Sequence, residues 1–368
     1  MIAMTPVLTR GYTFWDRALL PADEFSERSR RVQAKMAEAR LDGLVIWSAG
    51  YHTNGDLAYI GGWPMGGALL LPLEGEPTMF SPGGGRELYF QKMQTWVSDI
   101  SSTGGKLGSI IADNLTKRGL AKGRLGMVGM GVLSSSGYHD AVQGLAAFEL
   151  VDFDAPFRAL KAVKRPREIA AVRAALSIAA LAVAAGEGAF HKGASNASAL
   201  VEAERVARVN GARDFRGLAN IDADDLRPYE RPSAERREPL LLWIAVDHHG
   251  YWADAAAACS APAGSSAAQA LDAMIAAAHA GSTAGAVADA AVRSLPAEAV
   301  DEALSYGLGG GIGLALEEGP VIRPGATEVL SDGEVLSLHV FARTGGTPSF
   351  AGAMVRLTDV GAQRLTAR

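Results

Sequence analysis

A chain of 368 residues, 48% hydrophobic and 20% charged, is long enough for two domains and too apolar to be disordered. A formal net charge of −5 leaves no excess of basic residues for nucleic acid and excludes a general nucleic-acid binder. The single cysteine, Cys259, rules out an intramolecular disulfide and fits a reducing compartment.

The opening residues, MIAMTPVLTRGYTFWDRALL, show no basic segment followed by an apolar one. No apolar run of about 18 residues passes without polar breaks. The expectation is a cytoplasmic protein without a membrane span. Residues 24–42 carry the spacing of an amphipathic helix, and DGLVIWS, ALLLPL and PTMFS read as strands after it. Helical stretches at 86–98 and 106–119 then alternate with the strands LGMVGM and FELVDF. That alternation predicts an α/β N-terminal domain, residues 1–158.

The basic, proline-containing stretch DAPFRALKAVKRPRE marks the boundary, with Pro166 suited to a first helical turn. Beyond it the pattern predicts helices at 167–190 and 196–210, strands at 240–247 and 250–257, and helices at 265–280, 284–293 and 297–304. Strands at 334–343 and 352–358 follow, and GAMVRLTDVGAQRLT reads as strand, turn, strand. Strands and helices are segregated, so residues 159–368 form an α+β domain. The order helix then hairpin occurs twice, a faint sign of internal duplication.

The hairpin LLLWIAVDHHGYWADAAAACS holds the first candidate site residues. A two-residue turn at His248 and His249 would set Trp243 opposite Asp254 and Ala245 opposite Trp252, all on one face. The two histidines, as neighbours, would point apart and not chelate together. The second unusual stretch is SYGLGGGIGLALEEGPVIRPG. A dinucleotide loop needs a strand before it and a helix after it, but here the glycines run into LALEEGP, which ends at a proline, so they point to close backbone approach or unusual dihedrals. His339 sits in the apolar middle of LSDGEVLSLHVFA.

These landmarks together resemble a known family. RVQAKMAEARLDGLVIWSAGYHTNGDLAYIGGW, LKAVKRPREIAAVRAALSIAALAV, GYWADAAAACS, GLGGGIGLALEEGP and LTDVGAQRLT are similar, in order, to segments of the creatinase/prolidase (M24, pita-bread) family. The resemblance implies a pita-bread second domain. It also implies a homodimer in which His52 and Trp63 approach the partner's site. Metallopeptidases of the family hold two metals with two aspartates, a histidine and two glutamates. On this sequence those positions fall at Trp243, Asp254, Gly310, His339 and near Gly352. The substrate-side histidine falls at Glu317, with Glu318 keeping the adjacent acid, and an upstream histidine falls at Tyr229.

With one ligand of five retained, the expectation is neither metal nor cofactor but general acid–base chemistry on a small organic substrate: C–N hydrolysis, or lyase, decarboxylase or isomerase chemistry. His339 is the expected base, Asp254 its orienting carboxylate, and Glu318 a protonated acid. Arg227, Arg231 and Tyr229 would hold a substrate carboxylate, and Trp243 and Trp252 would form a flat apolar wall. Two alternatives stand beside this: a non-catalytic pita-bread protein that binds peptides or proteins, and a divergent Xaa-Pro aminopeptidase or dipeptidase.

Overall fold

The computed structural model describes residues 15–367 apart from 50–54, 64–65, 82, 103, 105 and 262–263, so His52 lies outside the described residues. Among them the chain forms two compact units, one ending at Lys161 and the other beginning at Ala162.

The first unit opens on α1 (Ala22–Glu38), with Asp23 and Glu24 in its first turn and Lys35 in its last, each favourably placed against the helix dipole. It stops short of the expected residue 42 because Arg40 takes φ 56, a left-handed conformation that no helix continues. β1 (Gly43–Ser48) is buried along its whole length, which is why GLVIW reads as continuous rather than alternating. α2 (Asp56–Gly61), β2 (Gly67–Pro72), β3 (Thr78–Ser81), α3 (Arg86–Gln94), β4 (Asp99–Ser102), α4 (Leu107–Lys117), β5 (Arg124–Val128), α5 (Ser135–Gly144), β6 (Glu149–Asp152) and α6 (Asp154–Ala162) follow. The six strands form one mixed sheet in the order β4-β3-β2-β1-β5-β6. The sequence reading missed three of these helices. α5 carries its own start signal, Ser134 accepting the Gly137 N–H, and α6 occupies most of the stretch read as a linker. Trp63 is 1% exposed and packs inside this unit, its indole N–H donating to the Gly66 carbonyl at 3.3 Å.

The second unit begins with α7 (Pro166–His191) and α8 (Asn196–Val209), the latter capped by Ser195. By length and composition α7 is apolar enough to cross a membrane, a property the sequence reading did not assign to any segment. Its buried residues Ile169, Val172, Ala175, Leu176, Ala179 and Val183 recur at helical spacing, as on the core face of a packed helix. β7 (Asp214–Ala219), β8 (Arg227–Pro228), β9 (Leu240–His248) and β10 (Tyr251–Cys259) make a sheet in the order β10-β9-β7-β8. α9 (Ser266–Ala277), α10 (Ala284–Ser294) and α11 (Ala297–Tyr306) come next. β11 (Gly309–Gly311), β12 (Glu318–Val321), β13 (Val335–Thr344), β14 (Thr347–Thr358) and β15 (Gly361–Arg364) make a second sheet, ordered β12-β11-β13-β14-β15.

α7 and α8 pack on the first sheet, α9 and α11 on the second with α10 against α9, and the two sheets meet through β10 and β14. The alanines explain the close layering. Ala267, Ala270, Ala284, Ala288, Ala291 and Ala303 are fully buried against Leu336, Leu338, Val340 and Val355. Small side chains let helix and sheet approach closely at interior density. Between the sheets lies a smaller cluster of Leu226, Leu241, Phe341 and Phe350, flanked by Trp243 and Tyr306.

The β9–β10 hairpin turns at His249 and Gly250, with φ 51 and 86, one residue later than expected. Two successive positive φ values suit a tight two-residue hairpin, and glycine supplies the second without strain. The pairing is therefore Asp254 with Ala245, Trp243 with Ala256 and Trp252 with Asp247, in place of Trp243 opposite Asp254. The offset of two residues leaves every side chain on the face expected for it.

Candidate active site

A cavity of about 480 Å³ opens between the two sheets of the second unit. β9 and β10 deliver Trp243 and Asp254, and β13 delivers Ser337 and His339 from the same strand face. The last residue of α11, the turn after it and β11 supply Tyr306 to Gly311, and the segment leading to and past β12 supplies Leu316, Glu317, Glu318, Val321, Ile322 and Arg323.

Asp254 is 6% exposed and fully engaged on one oxygen. Its Oδ2 accepts from Trp243 Nε1 at 3.0 Å and from Ser337 Oγ at 2.5 Å. Burial raises its pKa from the ordinary carboxylate value, against the lowering influence of the Ser337 hydroxyl, His339 and the Trp243 N–H. His339 is half-buried, and its Nδ1 is enclosed with no hydrogen-bond partner among the described residues. Burial lowers its pKa from the ordinary imidazole value, opposed by the charges of Asp254 and Glu317 and by the Tyr306 carbonyl. The pair is thus a carboxylate that holds a proton more readily than usual and an imidazole that holds one less readily.

Glu318 differs from the expectation. Its Oε2 lies 2.7 Å from Lys164 Nζ, with both side chains 2% exposed. Its Oε1 accepts the Leu314 N–H at 2.9 Å and the Ala315 N–H at 3.3 Å. A carboxylate surrounded by donors is a hydrogen-bond acceptor locked in an ion pair, not the protonated acid expected from the sequence. Glu318 instead pins the glycine-rich loop to the start of α7.

Gly310, in β11, explains its own identity. A Cβ there would lie 2.7 Å from the Pro320 carbonyl oxygen, and one at Gly309 would lie 1.9 Å from that of Ser337. The glycine run therefore lets β11 squeeze between β12 and β13, as the close-approach reading anticipated.

Of the residues singled out from sequence, Asp254, His339, Glu318, Trp243, Glu317 and Gly310 line this cavity. The others lie elsewhere. Trp252 is 4% exposed, sits outside the lining, and packs with its backbone N–H on the Gly313 carbonyl. Tyr229 is exposed and borders a separate surface depression of about 280 Å³ with Val201 and Pro232. Arg227 pairs with Asp222 and Asp225, and Arg231 with Asp222, along an acidic loop that neutralises them. Three polar lining residues, Ser337, Arg323 and Tyr306, went unnoticed. Ser337 was within reach of strand periodicity, two positions before His339. Arg323 is exposed at the cavity edge, and its guanidinium makes no ion pair or side-chain hydrogen bond among the described residues. Tyr306 stacks on Phe341, centroids 4.1 Å apart.

The residues present do not fit the family's pair of metal ions. Trp243 turns an N–H donor toward the one retained aspartate, where a cation would need a lone pair. A ligand side chain at Gly310 meets the Pro320 carbonyl, and a Cβ at Gly352 would lie 2.9 Å from that of Ala256. Glu318 is neutralised by Lys164. Among the described residues no three His, Cys, Asp or Glu converge in a metal-ligating group.

The fold itself is widely shared. The chain is similar to an X-Pro aminopeptidase from Thermotoga maritima (17% identity, 92% of this chain and 97% of that one, TM-score 0.74). It is similar to a prolidase from Pyrococcus furiosus (20%, 91% and 99%, TM-score 0.69). The N-terminal domain of FACT complex subunit SPT16 from Cicer arietinum is also similar (15%, 94% and 96%, TM-score 0.65). Comparison with curated protein sequences gives no match. These likenesses establish the pita-bread architecture, two sheets with helices outside, that the resemblance implied. The profile of metallopeptidase family M24 matches residues 170–361, more than half of the chain and nearly all of the second unit, and the chain belongs to that family.

Proposed function

We propose that this member of a hydrolase family cleaves a C–N bond in a small carboxylate-bearing amide without the family's metal pair. The observation that carries the reading is the Asp254–His339 pair, two groups with oppositely displaced pKa values lining one cavity. Such pairs are the usual signature of acid–base chemistry. The His339 imidazole, which lines the cavity, takes the proton, while Asp254, steadied by Trp243, carries the complementary charge or proton.

The substrate class follows from the rest of the lining. Leu304, Leu308, Leu316, Val321 and Ile322 make an apolar wall, and Arg323 offers an uncommitted guanidinium at its edge. Arginine pairs with a carboxylate through two parallel N–H donors, so a substrate with an apolar body and one carboxylate fits. N-acyl amino acids combine those parts with a cleavable amide. The cavity is within the range of small-molecule sites. A homodimer belongs to the proposal through the resemblance alone, and analytical ultracentrifugation tests it.

The family match favours a second reading, an Xaa-Pro dipeptidase or aminopeptidase working with metal. One experiment separates them. Protein purified without added metal is assayed for metal content, and for turnover of N-acyl amino acids and Xaa-Pro dipeptides with and without chelator. The proposal expects below about 0.1 metal per chain. It also expects chelator-resistant turnover of the amides and, in Arg323→Gln, a raised KM with kcat held. Stoichiometric metal and chelator-sensitive dipeptide cleavage would establish the second reading instead.

A further inference from the structure

Ser337 is the residue that neither the family's ligand pattern nor an acid–base pair accounts for. It is 7% exposed, yet it lines the cavity beside Asp254 and His339. Its Oγ donates to Asp254 Oδ2 at 2.5 Å, and Trp243 Nε1 holds the same oxygen from another side at 3.0 Å. A hydroxyl, a carboxylate that accepts from it and a third group that orients the carboxylate make the nucleophile, base and orienter arrangement of covalent catalysis.

We propose that Ser337 is a nucleophile, carrying the acyl group of the substrate on its Oγ with Asp254 as its base and His339 as the base for the water that releases it. This rests on the hydrolase reading above and specifies its route.

The backbone supports the assignment. Ser337 sits mid-strand, paired to Gly310 on one side and Met354 on the other, so its hydroxyl is held on rigid elements. The glycines of β11 add no side chain beside it. His339, two residues on, lines the cavity from the same strand face.

The step balances without any outside reagent. Oγ bonds to the amide carbon as its proton passes to Asp254. The C–N bond then breaks, and that proton goes to the departing nitrogen. Water adds to the resulting ester as His339 takes one of its protons. Collapse breaks the C–Oγ bond and returns this proton to Ser337. The sum is amide and water giving acid and amine.

The test uses the full chain with p-nitrophenyl acetate and, separately, a fluorophosphonate probe. Acid-quenched samples go to intact mass spectrometry and peptide mapping. The expected result is a burst of nitrophenolate and a single acetyl or phosphonyl adduct on the peptide bearing Ser337. Ser337→Ala loses the adduct, and Ser337→Cys, which keeps a nucleophile of similar size, regains an acetyl adduct. His339→Gln accumulates acetyl-protein because its release slows by roughly 10²-fold. Steady hydrolysis with no adduct in wild type or His339→Gln, and with rate lost in His339→Gln, would overturn the nucleophile and leave the hydrolase reading standing. Neither adduct nor turnover of acetate or amide would sink both.

Discussion

Trp243 commits its one polar atom to Asp254, with the indole N–H 3.0 Å from the carboxylate Oδ2. Tryptophan therefore does two jobs at a position where the family resemblance places a metal-ligating aspartate: it fills the volume and supplies a donor. Trp243→Phe keeps most of the volume and deletes the donor. The expected result is a loss of about 1–2 kcal/mol in denaturant unfolding and a fall in turnover of about tenfold or more, as the carboxylate gains freedom. Unchanged turnover would detach Trp243 from the chemistry.

Asp254→Asn separates stability from activity. Burial raises the folded-state pKa of Asp254, so between about 3.9, the unfolded value, and its raised folded value the native chain binds more protons than the unfolded one. Stability from this group is complete below the unfolded pKa and is lost as pH rises through the folded pKa. At neutral pH the native aspartate is thus a liability that asparagine removes. Melting above neutrality shifts upward by a few degrees, about 2–4 °C per kcal/mol recovered, while turnover collapses. Melting curves of both proteins at acid and neutral pH check the sign, and the difference should vanish at the acid end.

His339 runs the other way. Its folded pKa is lowered by burial, so the unfolded chain binds more protons between that value and about 6.5. Stability rises with pH across that window and is complete above it. His339→Gln flattens this slope in melts from about pH 5 to about pH 8. In wild type the acid limb of turnover falls below the pH expected of a free imidazole.

The buried Lys164–Glu318 pair is expected to be costly to break and cheap to replace. Lys164→Met leaves Glu318 uncompensated, 2% exposed, and destabilises by about 3–5 kcal/mol. The double change Lys164→Met, Glu318→Gln, which keeps an oxygen for the Leu314 and Ala315 N–H groups, recovers most of that loss. Equilibrium unfolding of the two singles and the double measures the coupling; additive losses would show that the pair is not a unit.

Much of the fold was readable because its signals are local. β1 and β9 are continuous apolar runs, and Pro166 and Ser195 stand where helices begin. β7 was missed because DFRGLA is half-buried along most of its length and shows no alternation. In the hairpin, DHHG offered several turns, and the left-handed conformation of His249 decided among them. Of the residues that line the cavity, Asp254 and His339 stand out in the sequence through spacing and resemblance. Glu318 was misjudged because its partner Lys164 lies 154 residues away in sequence. Arg227, Arg231 and Tyr229 were placed by likeness along a loop whose own aspartates, Asp222 and Asp225, claim the arginines.

The tight seat of β11 restricts which substitutions the cavity can accept one at a time. A histidine at Gly310 meets the Pro320 carbonyl before its ring reaches the cavity, so a side chain there requires β12 to retreat. Gly352 is walled in by Ala256, and Trp243 would have to leave as well. Each such change taken singly adds a clash or strands a buried carboxylate, and only several together would make room for a cation. The packing is thus a mutual constraint: no one of these positions can take on a ligand until its neighbours have yielded.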